Sequence, residues 1–316
     1  MLRDWIATAR PARRGLRLRW PLAAAMLAGF AAPVAADLRT PPPPAAASEG
    51  YALHADAAFG SVYALFDAQR GAVVGLRHTR NAPGIGNYQH RWLFGLEYRH
   101  ADSLVPNLTF HPVSVGYAAG WSGAGRSLDG SLAFHRNLPG GRDGGSAAMA
   151  AARSGAKAGY SILRYNMTVL QALPAAWRLR LVAEGQYSPH ALVPCEQFAL
   201  GGRDSVRGFE ERALAGDRGR RLTVELHTPD FGTLLQPRLT ARGLLFLDHG
   251  SVSRKPALRG EAGWRTEAAS VGFGVAMSLA RAWQLRAEMA HLRQGGPDDA
   301  DAIDHERGQI MVTWTP

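Results

Sequence analysis

The chain has 316 residues, 46% of them hydrophobic and 20% charged, with a formal net charge of +10 and one cysteine. A single cysteine excludes an intramolecular disulfide framework. Six arginines against Asp4 in the first 36 residues account for half of that charge, so the rest is mildly basic and carries no Lys/Arg stripe suited to nucleic acid.

Residues 1–36 read as a signal peptide. Arg3, Arg10, Arg13, Arg14, Arg17 and Arg19 form a positive leader, Pro21 to Ala32 an apolar stretch, and Val34-Ala35-Ala36 the small residues before a cleavage point. The apolar stretch is short for a membrane span, which needs roughly 20 residues. Residues 37–50, with Pro41 to Pro44 followed by Ala and Ser, read as an extended linker.

From 51 to 316 no stretch is apolar enough for a transmembrane helix, and the recurring signal is alternation with a period of two. Trp92, Phe94, Leu96 and Tyr98 alternate with Arg91, Glu97 and Arg99. Trp177, Leu179, Leu181, Ala183 and Tyr187 alternate with Arg178, Arg180, Glu184 and Gln186. The pattern returns around Leu222–Leu226 (against Arg221, Thr223, Glu225 and His227), around Trp283–Met289 (against Gln284, Arg286 and Glu288) and at Ile310, Val312 and Trp314. Aromatics near the ends of the apolar faces and charges of both signs on the opposite faces favour a membrane barrel with a polar lumen over a soluble sandwich. The fold class expected is all-β, a transmembrane antiparallel β-barrel with about twelve recognisable strands separated alternately by short turns and long connections. Gly140 to Gly145 reads as a mobile loop, and Cys195 as a packed or lipid-facing small residue.

The connection after Tyr187 is the longest and holds the most specific text. It runs Glu196-Gln197-Phe198-Ala199-Leu200-Gly201-Gly202-Arg203-Asp204-Ser205-Val206-Arg207-Gly208-Phe209-Glu210-Glu211, then Gly216-Asp217-Arg218-Gly219. Downstream stands Phe246-Leu247-Asp248-His249-Gly250. Both elements resemble motifs of the ShlB/FhaC/HecB haemolysin secretion/activation family, the TpsB outer-membrane transporters of two-partner secretion and relatives of BamA. Segments from about Ser61 onward, including Asn87 to Arg99 and Arg136 to Gly140, look like barrel segments of the same family.

The resemblance implies that the loop bearing Gly201, Gly202, Val206, Arg207, Gly208, Phe209, Glu211, Gly216 and Asp217 folds into the lumen as a plug or gate. Its Arg207 would pair with Asp248 of the wall motif, which Phe246 and Gly250 complete. Parity agrees: Phe246 and Asp248 share one side of their strand, Leu245 and Leu247 the other. The partners implied are a secreted TpsA-like exoprotein of haemolysin or adhesin type, outer-membrane lipid and the barrel-assembly machinery, in the outer membrane of a Gram-negative bacterium. Against the family pattern the two POTRA modules are expected to be absent, and the chain to hold the C-terminal part of a sixteen-strand barrel. A passive pore or an inactive barrel remnant is the alternative function. Absence of G-x-S-x-G, H-E-x-x-H, C-x-x-C and P-loop patterns argues against an enzyme, a metal site or any cofactor.

Overall fold

The computed structural model describes residues 50–57, 60–67, 71–101, 107–256, 263–280, 282–294 and 306–314. The expected signal peptide and residues 37–49 of the expected linker lie outside the described residues, while Gly50 opens the first strand. In chain order the strands are β1 (Gly50–Ala57), β2 (Gly60–Asp67), β3 (Gly71–Ile85), β4 (Tyr88–Ala101), β5 (Leu108–Phe110), β6 (Pro112–Gly123), β7 (Arg126–Asn137), β8 (Ser161–Ala172) and β9 (Arg178–Tyr187). They continue with β10 (Phe198–Leu200), β11 (Leu214–Gly216), β12 (Arg218–His227), β13 (Leu239–Arg254), β14 (Trp264–Leu279), β15 (Trp283–Gln294) and β16 (Glu306–Trp314). Two short helices, α1 (Ser146–Ala152) and α2 (Gly232–Leu235), sit in connections.

The strands form one 14-stranded antiparallel sheet in meander order, with β5 pairing on β4, and a separate β10–β11 ribbon. The count exceeds the expected twelve. β5 is a three-residue piece too short to show periodicity, and β1 is Ala-rich, so its alternation carries little hydrophobic contrast. Among the described residues no pairing joins β1 to β16.

The alternation sorts the side chains as the sequence pattern requires. On β13, Leu245 and Leu247 are 57% and 49% exposed, whereas Phe246 and Asp248 are 3% and 0% exposed. Trp92, Phe94, Leu96 and Tyr98 of β4, Leu128, Leu132 and Phe134 of β7, and Ile310, Val312 and Trp314 of β16 all lie on the same exposed apolar face. An unbroken apolar face of this extent is the surface a strand protein presents to lipid. Trp121, Trp283 and Trp314 gather at the short-turn end of that face, with the Trp283 and Trp314 rings 6.1 Å apart. An arginine placed in the middle of that face, at Leu247 of β13, is expected to meet hydrocarbon instead of water. Leu247→Arg is therefore expected to destabilise the inserted sheet by about 2–4 kcal/mol, read as lost heat-modifiable gel mobility after refolding into vesicles. An unchanged folded fraction would mean that this face does not meet lipid.

The sheet is strongly curved, because one connection touches strands far apart in its order. Within the segment joining β9 to β12, Glu196 reaches Arg99 of β4 and Arg164 of β8, while Arg203 reaches Met311 of β16. That segment therefore lies on the concave face. The β3–β4, β6–β7, β8–β9 and β14–β15 turns leave from one end, together with the β12–β13 connection that holds α2, while the two longest connections, β7–β8 and β9–β12, leave from the other, as in outer-membrane barrels whose long loops face the cell exterior.

Candidate functional site

The β9–β12 connection is built as an arm, a ribbon and a tip. Its incoming arm ends in a single 3-10 turn at Pro194–Glu196; β10 and β11 then pair as the ribbon, and residues 201–213 form the tip. Gly201 and Gly202 stand at φ +103° and +96°, where glycine meets no Cβ penalty. They turn the chain directly after β10, and the Gly202 N–H donates to the Phe209 carbonyl at 3.1 Å to close the tip. Val206 and Phe209 bury against Leu200, Val252, Ala268 and Leu292, so an apolar seat flanks the charged residue between them.

Arg207 is the centre of the site and is 2% exposed. Its fork meets Asp248 with two bonds, Nε to Oδ2 at 2.7 Å and Nη2 to Oδ1 at 2.8 Å. Its backbone N–H adds a third to Oδ2 at 3.2 Å. Nη1 donates to Glu225 Oε1 and Glu288 Oε1, both at 2.9 Å, and the guanidinium lies 3.6 Å from the centroid of the Phe246 ring. Three acids around one cation are balanced from outside. Arg286 bonds both Glu225 and Glu288, Arg180 and His227 approach Glu225, and Gln309 donates to Glu288. Bidentate, charge-assisted pairing of this kind fixes position as well as charge.

The expected Arg207–Asp248 pairing is thus present in the geometry, and β12 and β15 add Glu225 and Glu288 to it. Alternation alone puts these two acids on the inward face; only the curvature of the sheet brings them to the same guanidinium. Of the other anticipated loop residues, Val206, Phe209, Gly201, Gly202, Gly216 and Asp217 are buried and Gly208 is half-buried at φ +91°. Gly250 is needed for a close approach, since a Cβ there would stand 2.7 Å from the Leu200 methyls of the ribbon. Glu211 is exposed and lies over Gly202 rather than in the charge cluster.

Asp217 does not join Arg207. It is 0% exposed and pairs with Arg153 of the β7–β8 connection, a residue that no sequence pattern singles out. Burial works to raise the Asp217 carboxyl, but Arg153 and the backbone N–H groups of Leu192 and Lys255 outweigh it and hold the group below the usual carboxylate range. A depressed folded-state pKa contributes stability that is complete at neutral pH and is lost as pH falls through that lowered value, hence below about pH 4. Protease protection of the arm 188–197 is accordingly expected to fail under acid, and to fail less steeply in Asp217→Asn, which has no carboxyl to protonate. Identical acid profiles would remove Asp217 as the cause.

Glu196, also buried, bonds Arg99 at 3.0 Å and Arg164 at 3.3 Å. Cys195 beside it is exposed on the arm, neither packed nor lipid-facing as expected. The Gly140–Gly145 stretch is likewise held in place rather than mobile in contacts: the Asp143 carbonyl accepts the Thr109 N–H at 2.9 Å and Gly144 is buried.

The sequence model for the haemolysin secretion/activation protein ShlB/FhaC/HecB matches residues 108–277. Over 43 residues the chain is 51% identical to the outer membrane transporter CdiB of Dickeya dadantii (strain 3937), a stretch making up 14% of this chain and 8% of that protein. CdiB from Escherichia coli superposes with a TM-score of 0.63 at 18% identity, covering 84% of this chain and 48% of that one. CdiB from Acinetobacter baumannii gives 0.59 at 17% identity, with 84% and 46% covered. BamA from Haemophilus ducreyi lacking POTRA domains 1-3 gives 0.55 at 13% identity, with 84% and 61% covered. At these identities the structural likeness is one of fold. The chain spans about half the length of the solved CdiB chains.

Proposed function

Because the chain belongs to the ShlB/FhaC/HecB haemolysin secretion/activation family, we propose that it forms wall and plug of an outer-membrane transporter for two-partner secretion. The family is one of secretion proteins rather than enzymes. The substrate is an exported TpsA-like protein of haemolysin or adhesin type, passed outward in extended form along the concave face without nucleotide. Insertion would use the barrel-assembly machinery after export on the leader of residues 1–36, with residues 37–50 as linker and 51–316 as barrel.

The observation that carries the reading is the buried Arg207. A loop entering from the long-connection end places a cation among Asp248, Glu225 and Glu288 on the inner wall, giving a plug a defined seat. Residues Gly201 to Phe209 then act as the gate, and Phe246, Asp248 and Gly250 as its receiving surface. The test is secretion of the neighbouring exported protein into the medium, with the gene deleted and then restored. Loss on deletion and recovery on restoration are expected. Equal secretion without the chain refutes transport, and ion conductance without secretion would make it a passive pore.

A further inference from the structure

We propose that Arg153 is a positioning residue that pins the root of the inward-folded loop to the rim of the wall, so that movement of the loop is confined to the tip beyond Gly201 and Gly202. The inference deepens the transporter reading and rests on it only for what the movement is for.

The two ends of the loop converge on one buried ion pair. Arg153 is 7% exposed and places its fork on Asp217, Nη1 to Oδ1 at 2.5 Å and Nη2 to Oδ2 at 3.1 Å. The same nitrogens donate to the Leu192 carbonyl at 2.6 Å and the Lys255 carbonyl at 2.9 Å. Asp217 in turn accepts from the Leu192 N–H at 2.9 Å, the Lys255 N–H at 2.7 Å and Gln197 Nε2 at 3.2 Å. Leu192 and Gln197 belong to the incoming arm and Asp217 to the outgoing one, while Arg153 and Lys255 come from the β7–β8 and β13–β14 connections. Three long connections are thereby fastened at a single point, through both terminal nitrogens of Arg153 and both carboxylate oxygens of Asp217. Such a pair gives position more than stability, and removing one partner strands the other.

Apolar packing fixes the same region. Leu192 and Val193 of the arm bury with Met149 of α1, with Ala156, Ala158 and Tyr160 beyond it, and with Leu108 and Phe110 of β5. On the outgoing side a Cβ at Gly216 would stand 2.7 Å from the Ser253 carbonyl oxygen and 2.9 Å from its nitrogen, so this stretch lies directly on the backbone of β13. The tip differs. It is joined to β10 through two glycines of positive φ, and Arg203, Asp204, Glu210, Glu211 and Arg212 are exposed. Its polar hold on the wall is centred on the Arg207 cluster. A loop pinned at both arms and released at Arg207 swings as a flap about its root.

The test uses the full chain in lipid vesicles with no exported partner, so its outcome is independent of the transport reading. The native Cys195, exposed on the arm, takes a spin label as the root reporter. Asp204→Cys in a Cys195→Ser background gives the tip reporter. Arg207→Ala is expected to shorten the tip label's correlation time by roughly threefold or more and to leave the root label unchanged. Arg153→Met is expected to mobilise the root label; should that variant not fold, Arg153→Lys, which keeps the charge but loses the fork, gives a smaller gain in root mobility. Root and tip labels loosening together in Arg207→Ala would overturn the pinned root, as would an unmoved root label in a folded Arg153 variant.

Discussion

Arg207→Ala is expected to abolish measurable secretion of the exported partner while the chain still inserts as a folded sheet. The substitution takes the guanidinium away from buried Asp248, while Glu225 and Glu288 keep Arg286, and removing one partner of a buried pair costs about 3–5 kcal/mol. That corresponds to roughly two to four orders of magnitude in the ratio of docked to undocked tip. Asp248→Asn should be milder, because Nη1 of Arg207 keeps Glu225 and Glu288 at 2.9 Å and the amide oxygen can still accept one bond. Secretion assays beside heat-modifiable gel mobility separate docking from insertion. An Asp248→Asn defect as deep as that of Arg207→Ala would reduce the site to a single pair and remove Glu225 and Glu288 from it.

Gly208→Val is expected to undock the tip without altering any charge. Gly208 has φ +91°, a conformation that a β-branched residue adopts only under strain of about 1–3 kcal/mol. A Cβ there would stand 2.6 Å from Leu292 Cδ1 and 3.1 Å from Ala290 Cβ of β15. The leucine end is flexible and can yield in part, so the clash is the softer half of the effect and the backbone the harder half. Adding Leu292→Ala should therefore restore only part of the docked population, measured by the tip label at position 204. Full restoration would place the whole effect in side-chain crowding.

The pairing of Arg207 with Asp248 was legible as what the family resemblance implies, and parity agreed by turning Asp248 inward. A strand turns successive side chains to opposite faces, so Leu245 and Leu247 outward put Phe246 and Asp248 inward. Family likeness then named the loop. Glu225 and Glu288 were legible as inward residues but not as neighbours, because alternation assigns a face and says nothing of curvature. Arg153 was not legible at all. It sits in a connection of Gly and Ala residues without period, and its partner Asp217 is fixed by how three long connections meet, which no local pattern encodes. Strand positions followed the same rule: long alternating strands such as β9 and β13 were plain, whereas β5, β10 and β11, three residues each, depend on contacts made across the fold.

The proposed transport requires that an exported protein pass along the concave face that Arg207 plugs. Photo-crosslinking during active secretion tests it most directly, with the reactive residue placed at Thr168 on the inward side of β8 or at Leu132 on the exposed apolar side of β7. Capture of the exported protein is expected from position 168 and not from position 132. Capture from 132 alone, or from neither position while secretion proceeds, would contradict it.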